Sequence, residues 1–118
     1  MSLLLAAAVC WATDGDSIRC GEERIRLLGI DAPEFHCPRN RQCVDGDPQA
    51  AKDYLTALMD GRDLSMRRVG TDRYGRTLAV VYADGLNLSC AMVAAGHAEY
   101  IARWDNGGLV AADCGASR

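Results

Sequence analysis

Six cysteines in a chain of 118 residues restrict what this sequence can fold into more than any other feature. They are Cys10, Cys20, Cys37, Cys43, Cys90 and Cys114. None of them forms the C-x-x-C pair typical of a zinc site, and the chain has only two histidines. An even number of cysteines in a small domain favours three disulfides formed in an oxidising compartment. We therefore predict a secreted or periplasmic protein; the alternative is a cytosolic protein with free, buried thiols.

The length and composition predict one globular domain. Hydrophobic residues make up 49% of the chain and charged residues 25%, which excludes a disordered tail, a collagen-like rod and a coiled coil. We assign the domain to residues 8–118. Residues 1–7 are interpreted as an expression tag or the remnant of a signal peptide, because their apolar run is too short to span a bilayer. We expect a monomer that does not associate with membranes.

The hydrophobic pattern predicts five short strands with a helix between the third and the fourth. The predicted strands are Ala8–Thr13, Ser17–Cys20, Arg24–Ile30, a segment around Leu64–Arg68, and Thr77–Ala83. The predicted helices are Pro48–Asp60, Ser89–Val93 with Ser89 as its cap, and Leu109–Asp113. This order is typical of a five-stranded OB-fold β-barrel with two or three short helices, an α+β fold that is mainly β. Periodicity alone does not separate that barrel from another α+β sandwich.

The charge pattern combines an acidic total with an unusual use of arginine. The net charge is −3, which disfavours a protein that coats nucleic acid but leaves room for a small basic site. Twelve of the thirteen basic residues are arginine, and Lys52 is the one lysine. Forked guanidinium groups bind phosphate or carboxylate in a geometry that lysine does not reproduce, although codon bias explains the same composition.

Three short motifs carry the chemistry of the chain. They are D-G-D from Asp14 to Asp16, R-L-L-G-I-D-A-P-E from Arg26 to Glu34, and D-R-Y-G-R from Asp72 to Arg76. Each is common by itself. In this order and spacing they resemble the staphylococcal nuclease family, over about residues 8–104. The resemblance implies an OB-fold barrel and a calcium-dependent nuclease that cleaves DNA and RNA and leaves 3′-phosphates.

The resemblance also implies roles for individual residues. The metal ligands would be the carboxylates of Asp16 and Asp31 and the carbonyl of Ala32, with Asp14 close to them. The catalytic residues would be Glu34 beside the attacking water and Arg26 and Arg76 on the scissile phosphate. The nucleotide-binding residues would be Arg73 and Tyr74, with Tyr100 and Trp104 as aromatic candidates that could equally be core. Calcium prefers such oxygen ligands, and a five-coordinate phosphate gains charge that two guanidinium groups stabilise.

Several alternatives stay open at this point. Arg26 lies in an apolar strand and could be a structural partner of Glu34 or Asp31, because a buried charge is costly unless it is paired. The whole chain could be a non-catalytic OB-fold module that binds nucleic acid or protein, or a small interaction domain held by disulfides. The presence of all the motif carboxylates and arginines favours the enzyme. Its acidic balance gives no long-range attraction to DNA, so we expect single-stranded DNA or RNA to be preferred.

The spacing of the cysteines selects one of fifteen pairings. A hairpin that turns at Gly15 would bring Cys10 and Cys20 opposite each other. Cys37 and Cys43 bracket a polar loop just after Glu34. Cys90 and Cys114 then pair by exclusion.

Overall fold

The computed structural model describes residues 9–116 and begins with three antiparallel strands. They are β1 (Cys10–Asp14), β2 (Ser17–Cys20) and β3 (Glu23–Leu27). The predicted start of the first strand at Ala8, and the predicted tag or signal remnant, lie outside the described residues. Gly15 is required in the first hairpin because a Cβ there would come within 2.6 Å of the Ala51 Cβ. The hairpin therefore packs directly on the helix that contains Ala51.

The main sheet is built around a parallel pairing. Strand β5 (Leu64–Thr71) and strand β6 (Thr77–Ala83) form a hairpin, and β6 pairs with β3 in parallel. The resulting order is β1-β2-β3-β6-β5, with the short strand β7 (Leu86–Asn87) also on β6. This confirms an α+β fold that is mainly β and consistent with the OB fold.

The predicted third strand, Arg24–Ile30, was too long. Strand β3 ends at Leu27, and Gly29 then turns the chain with a φ of +78°. The next strand, β4 (Ile30–Asp31), leaves the main sheet and pairs with β8 (Glu99–Tyr100). The apolar residues on either side of this turn enter different clusters, since Leu27 joins the main core while Leu28 joins a second cluster. The turn also delivers Asp31 to the same place as Asp16.

Three helices complete the fold: α1 (Pro48–Met59), α2 (Leu88–Ala94) and α3 (Leu109–Ala116). The predicted cap of α2 was wrong: the side chain of Asn87 accepts the N–H of Cys90, while the buried Ser89 hydroxyl donates to the Leu28 carbonyl. The main core lies between the sheet and α1 and α2. Its largest fully buried side chains are Ile18, Ile25, Leu27, Ile30, Leu55, Val81, Leu88 and Met92.

All three expected disulfides are present. Cys10–Cys20 joins β1 to β2, Cys37–Cys43 closes the loop between β4 and α1, and Cys90–Cys114 ties α2 to α3. Such bonds indicate an extracellular or otherwise oxidising compartment. Within residues 9–116, none of the helices has the length and apolar character needed to cross a membrane.

The segment after β8 is anchored by one buried carboxylate. Asp105 is fully buried and accepts the N–H groups of Val110 and Ala111 and the hydroxyl of Tyr100. It immediately follows the 3-10 turn Ala102–Trp104. These hydrogen bonds fix the position of Trp104 relative to the start of α3.

Glu23 links β3 to both strands of the β5–β6 hairpin, and we predict a pH-dependent contribution to stability. Hydrogen bonds from Arg68, and then from Thr77, lower its pKa from 4.5 to about 2. The stabilisation is complete above the unfolded-state pKa and is lost as the pH falls toward 2. Because the pair is exposed, Glu23→Gln should lower the free energy of unfolding at neutral pH by only about 1 kcal/mol.

Urea unfolding of wild type and Glu23→Gln between neutral pH and about pH 2.5 measures this effect, and the difference should shrink on acidification. Glu22→Gln, on the exposed neighbour, is the control and should match wild type throughout. A difference that is constant with pH would contradict the role of the Glu23 carboxylate.

Candidate active site

Three carboxylates converge where the first hairpin meets β4. Asp16 lies directly before β2, Asp31 ends β4, and Glu34 follows three residues later. One oxygen of each lies within 4.8 Å of the others. Asp16 Oδ2 also accepts the N–H of Ala32 at 2.9 Å, which fastens the hairpin to the chain after β4. Asp16, Asp31 and Ala32 are all buried.

This donor set fits a hard divalent cation. Burial, and then the charge of Asp16, raise the pKa of Glu34 and likewise the pKa of the neighbouring Asp14. Negative charges are crowded here in a partly buried place, where a cation would relieve their repulsion. Oxygen ligands from carboxylates are those that calcium and magnesium prefer. Asp16 and Asp31 would hold such an ion, with Glu34 beside it.

Arg26 lies beside the two buried aspartates. Its Nη2 atom is 3.4 Å from Asp16 Oδ2 and 3.5 Å from Asp31 Oδ1, and it donates to the Ile30 carbonyl at 3.1 Å. The guanidinium carbon stands 5.2 Å from the centre of the Trp104 ring. The ion pair with Asp31 that the sequence left open is therefore present, and one pairing with Asp16 accompanies it.

The D-R-Y-G-R motif forms the turn of the β5–β6 hairpin, and Asp72 organises it. Its Oδ1 accepts the N–H groups of Tyr74 and Arg76, and its Oδ2 accepts Arg76 Nε at 2.7 Å. Burial opposes ionisation of Asp72, but the hydrogen bonds from Arg76 outweigh it and lower the pKa. Arg24, on β3, donates to the Tyr74 carbonyl and holds the turn against the sheet.

A cavity of about 570 Å³ lies between this turn and the segment around Trp104. Five arginines line it: Arg26, Arg41, Arg73, Arg76 and Arg103. Tyr74 and Trp104 add aromatic faces to the lining. We call this the arginine cleft. It is basic although the whole chain is acidic, and it adjoins the three carboxylates through Arg26 and Arg41.

Comparison with known proteins identifies the family of the chain. Residues 24–111 match the sequence model described as "Staphylococcal nuclease homologue". The chain belongs to the staphylococcal nuclease family. The match includes the second and third motifs, together with the segment that carries Tyr100 and Trp104.

Individual relatives of the chain have names that refer to nucleases. An "Uncharacterized endonuclease" of Escherichia coli O157:H7 is 38% identical over 90 residues, which are 72% of this chain and 54% of that protein. A protein of the same name from Haemophilus influenzae is 37% identical over 86 residues, or 73% and 47% of the two chains. A "Probable staphylococcal-like nuclease" of Oryza sativa subsp. japonica is 32% identical over 91 residues, covering 77% of this chain and 25% of the relative. The chain thus spans between a quarter and about half of these relatives.

The structure of this staphylococcal nuclease homologue brings most of the proposed site residues together. Asp14, Asp16, Asp31, Ala32 and Glu34 lie in or beside the carboxylate cluster. Arg26, Arg73, Tyr74, Arg76 and Trp104 line the arginine cleft. Tyr100 is not among the lining residues, because its hydroxyl is directed to Asp105.

Sequence reasoning missed Arg41. This residue lies in the loop closed by Cys37–Cys43 and contacts both Asp31 and Glu34. It stands outside the three motifs, and the one signal in the sequence is its place between two cysteines that follow Glu34. Arg103, which lines the cleft beside Trp104, was also missed.

We predict that Arg26 is needed for stability and that Arg76 is not. Arg26→Met would leave the buried Asp16 without its ion-pair partner, which should cost about 3 kcal/mol of folding free energy. Arg76 is more exposed and pairs with Asp72 within one turn, so Arg76→Met should cost at most about 1 kcal/mol.

Chemical denaturation of both variants at neutral pH, without divalent cations, provides the comparison. Equal losses of stability in the two variants would show that the Arg26 ion pairs do not support the fold.

Proposed function

We propose that this chain is a calcium-dependent nuclease that hydrolyses phosphodiester bonds of DNA or RNA and leaves 3′-phosphates. The observation that carries the proposal is the position of three carboxylates, within 4.8 Å of one another, beside a cleft lined by five arginines. A cation-binding cluster next to a phosphate-binding surface is what metal-assisted phosphodiester cleavage requires. The names of the bacterial and plant relatives support the same activity.

Asp16 and Asp31, together with the Ala32 carbonyl, hold the cation in this proposal. Asp16 is preorganised for it, because the Ala32 N–H and the Ser17 hydroxyl already orient its carboxylate. A bound calcium ion supplies positive charge to a phosphate oxygen that it contacts. Asp14 is close enough to Asp16 for the two charges to interact, and it adds to the negative potential of the site.

Glu34 accepts the proton of the attacking water. Burial raises the pKa of the Glu34 carboxyl, which makes its carboxylate a better proton acceptor than an exposed glutamate. Its ion pair with Arg41, at 3.6 Å, limits how far the carboxylate can rotate.

Arg26 and Arg76 bind the phosphate as its equatorial oxygens gain charge. Arg26 is oriented by its ion pairs and by the Trp104 ring, and Arg76 by Asp72. Tyr74 and Trp104 offer faces on which unpaired bases stack. Arg73 lies 5.1 Å from the centre of the Tyr74 ring and reaches the same nucleotide. Tyr100 acts indirectly, through the Asp105 contact that fixes the Trp104 segment.

The disulfides support the compartment that we propose, whereas the monomeric state stays a prediction from the sequence. We infer that the domain, over residues 8–118, works as a secreted or periplasmic monomer. Three disulfides within about a hundred residues are typical of proteins that mature outside the cytosol.

Removal of the proton acceptor tests the proposed chemistry. Glu34→Gln should lower the rate of oligonucleotide cleavage at saturating calcium by at least about a hundredfold, because general-base catalysis contributes that much. Chelation of calcium should abolish cleavage by wild type, and mass spectrometry of the products should show 3′-phosphate ends.

Glu22→Gln is the matched control, since Glu22 is exposed on the turn before β3. Full activity of Glu34→Gln, or wild-type activity that survives the chelator, would refute the proposed mechanism.

The acidic net charge and the local, arginine-lined cleft predict a preference for single strands. A single-stranded oligonucleotide should be cleaved faster than the matched duplex, because its bases are free to stack on Tyr74 and Trp104. Trp104→Ala should reduce the difference between the cleavage rates of the single strand and the duplex. Rates on both substrates at two salt concentrations measure the preference, and faster cleavage of the duplex contradicts it.

A further inference from the structure

Arg41 joins the carboxylate cluster to the arginine cleft. Its Nη2 atom lies 2.9 Å from Asp31 Oδ1 and 2.8 Å from Asp31 Oδ2, so it engages both oxygens of that carboxylate. Its Nη1 atom lies 3.6 Å from Glu34 Oε2. The same side chain is part of the cleft wall. Arg41 is therefore a protein-borne cation that contacts two of the three clustered carboxylates.

A divalent cation at this cluster meets Arg41 directly. Asp31 has its two oxygens in hydrogen bonds to Arg41, and Oδ1 is also 3.5 Å from Arg26. Charge-assisted hydrogen bonds of this kind are among the stronger ones in proteins. An ion that takes an Asp31 oxygen as a ligand must weaken or replace at least one of these contacts, and it places a like charge beside the guanidinium.

The loop that carries Arg41 keeps this side chain close to Asp31 and Glu34. Cys37 and Cys43, six positions apart in the sequence, close a short loop, and the Arg41 N–H donates to the Pro38 carbonyl at 3.1 Å. The side chain is still 35% exposed, so it has room to leave Asp31 without unfolding the loop. A short closed loop lowers the entropy that Arg41 loses when it returns to the carboxylate.

We propose that Arg41 is a positioning residue that competes with the catalytic cation for Asp31 and Glu34. It holds the carboxylates together while the cation is absent and moves aside, within the arginine cleft, when the cation binds. The inference rests on the cation site of the proposed function. Competition from Arg41 raises the calcium concentration that is needed to fill the site.

Calorimetric titration of the protein with calcium chloride, without nucleic acid, tests the competition. Arg41→Gln should bind calcium about tenfold more tightly than wild type, which corresponds to about 1.4 kcal/mol. Arg41→Lys keeps the charge but has a single nitrogen, so it cannot face Asp31 and Glu34 with separate atoms as Nη2 and Nη1 of Arg41 do. Its calcium affinity should therefore fall between the two. If Arg41 acted only through its charge, the lysine variant would match wild type.

Arg103→Gln is the matched control. It removes one positive charge from the same cleft, but its guanidinium lies over the Trp104 ring, 5.3 Å from the ring centre. Screening by salt should keep its calcium affinity within about twofold of wild type. An equal gain in calcium affinity in Arg103→Gln and Arg41→Gln would show that any positive charge in the cleft has the same effect, and it would overturn the proposal.

The loop provides an independent variant. A Cys37→Ser, Cys43→Ser double variant should also bind calcium more tightly, because the opened loop presents Arg41 less often. When Arg41→Gln is added to this double variant, its calcium affinity should be no higher than that of Arg41→Gln alone. Independent, additive gains would show that the loop acts on the site by another route.

The outcomes separate this inference from the proposed function. Calcium binding by wild type with no gain in Arg41→Gln overturns the competition and leaves the cation site intact. Binding by Arg41→Gln alone supports the competition in its strongest form. If neither protein binds calcium, the cation site itself is wrong, and the competition fails with it.

Discussion

The hydrogen bond between Asp16 Oδ2 and the Ala32 N–H joins the two halves of the carboxylate cluster, and much of the surrounding structure depends on it. It requires the first hairpin to lie against the chain that leaves β4. That approach is possible because Gly15 has no side chain to collide with Ala51 on α1. A contact between a glycine and a helix therefore determines the position of the Asp16 carboxylate.

Once two aspartates are buried together, their charges must be compensated. Arg26 does this from within the sheet and Arg41 from the disulfide-closed loop. Buried ion pairs often contribute little net stability, because desolvation offsets the attraction between the charges. Their value here lies in orientation: they hold carboxylates in a geometry that unpaired like charges would not adopt.

The same arginines explain how an acidic protein of this family presents a basic surface. The net charge of −3 describes the whole chain, whereas five arginines line one cleft. Recognition of an anion then depends on short-range, forked contacts instead of on long-range attraction. Such a surface discriminates by local geometry and is less prone to bind extended polyanions without specificity.

The sequence predicted the order of the main strands, the helix after Pro48 and the three disulfides, because each depends on local periodicity or spacing. It did not predict the break after Leu27, since a strand interrupted at Gly29 has the same apolar letters as a continuous one. The cap of α2 went to Asn87 because Ser89 found a buried acceptor on a distant strand. The motifs identified the carboxylates and Arg26 as candidate site residues. Arg41 escaped because its partners are set by how a loop folds back, which no spacing rule describes.

The parallel pairing of β3 with β6 has a consequence for how the protein acquires its activity. The contact between Arg24 and Tyr74 joins residues 50 positions apart, and it seats the turn that carries Arg76. Contacts of such long sequence separation close late and slowly, after local hairpins and helices have formed. The carboxylate cluster is completed just as late, because strand β4, which ends at Asp31, pairs with β8 near the end of the chain. A chain still emerging during synthesis would therefore have neither the acidic cluster nor the arginine cleft in place until the segment around Tyr100 had docked.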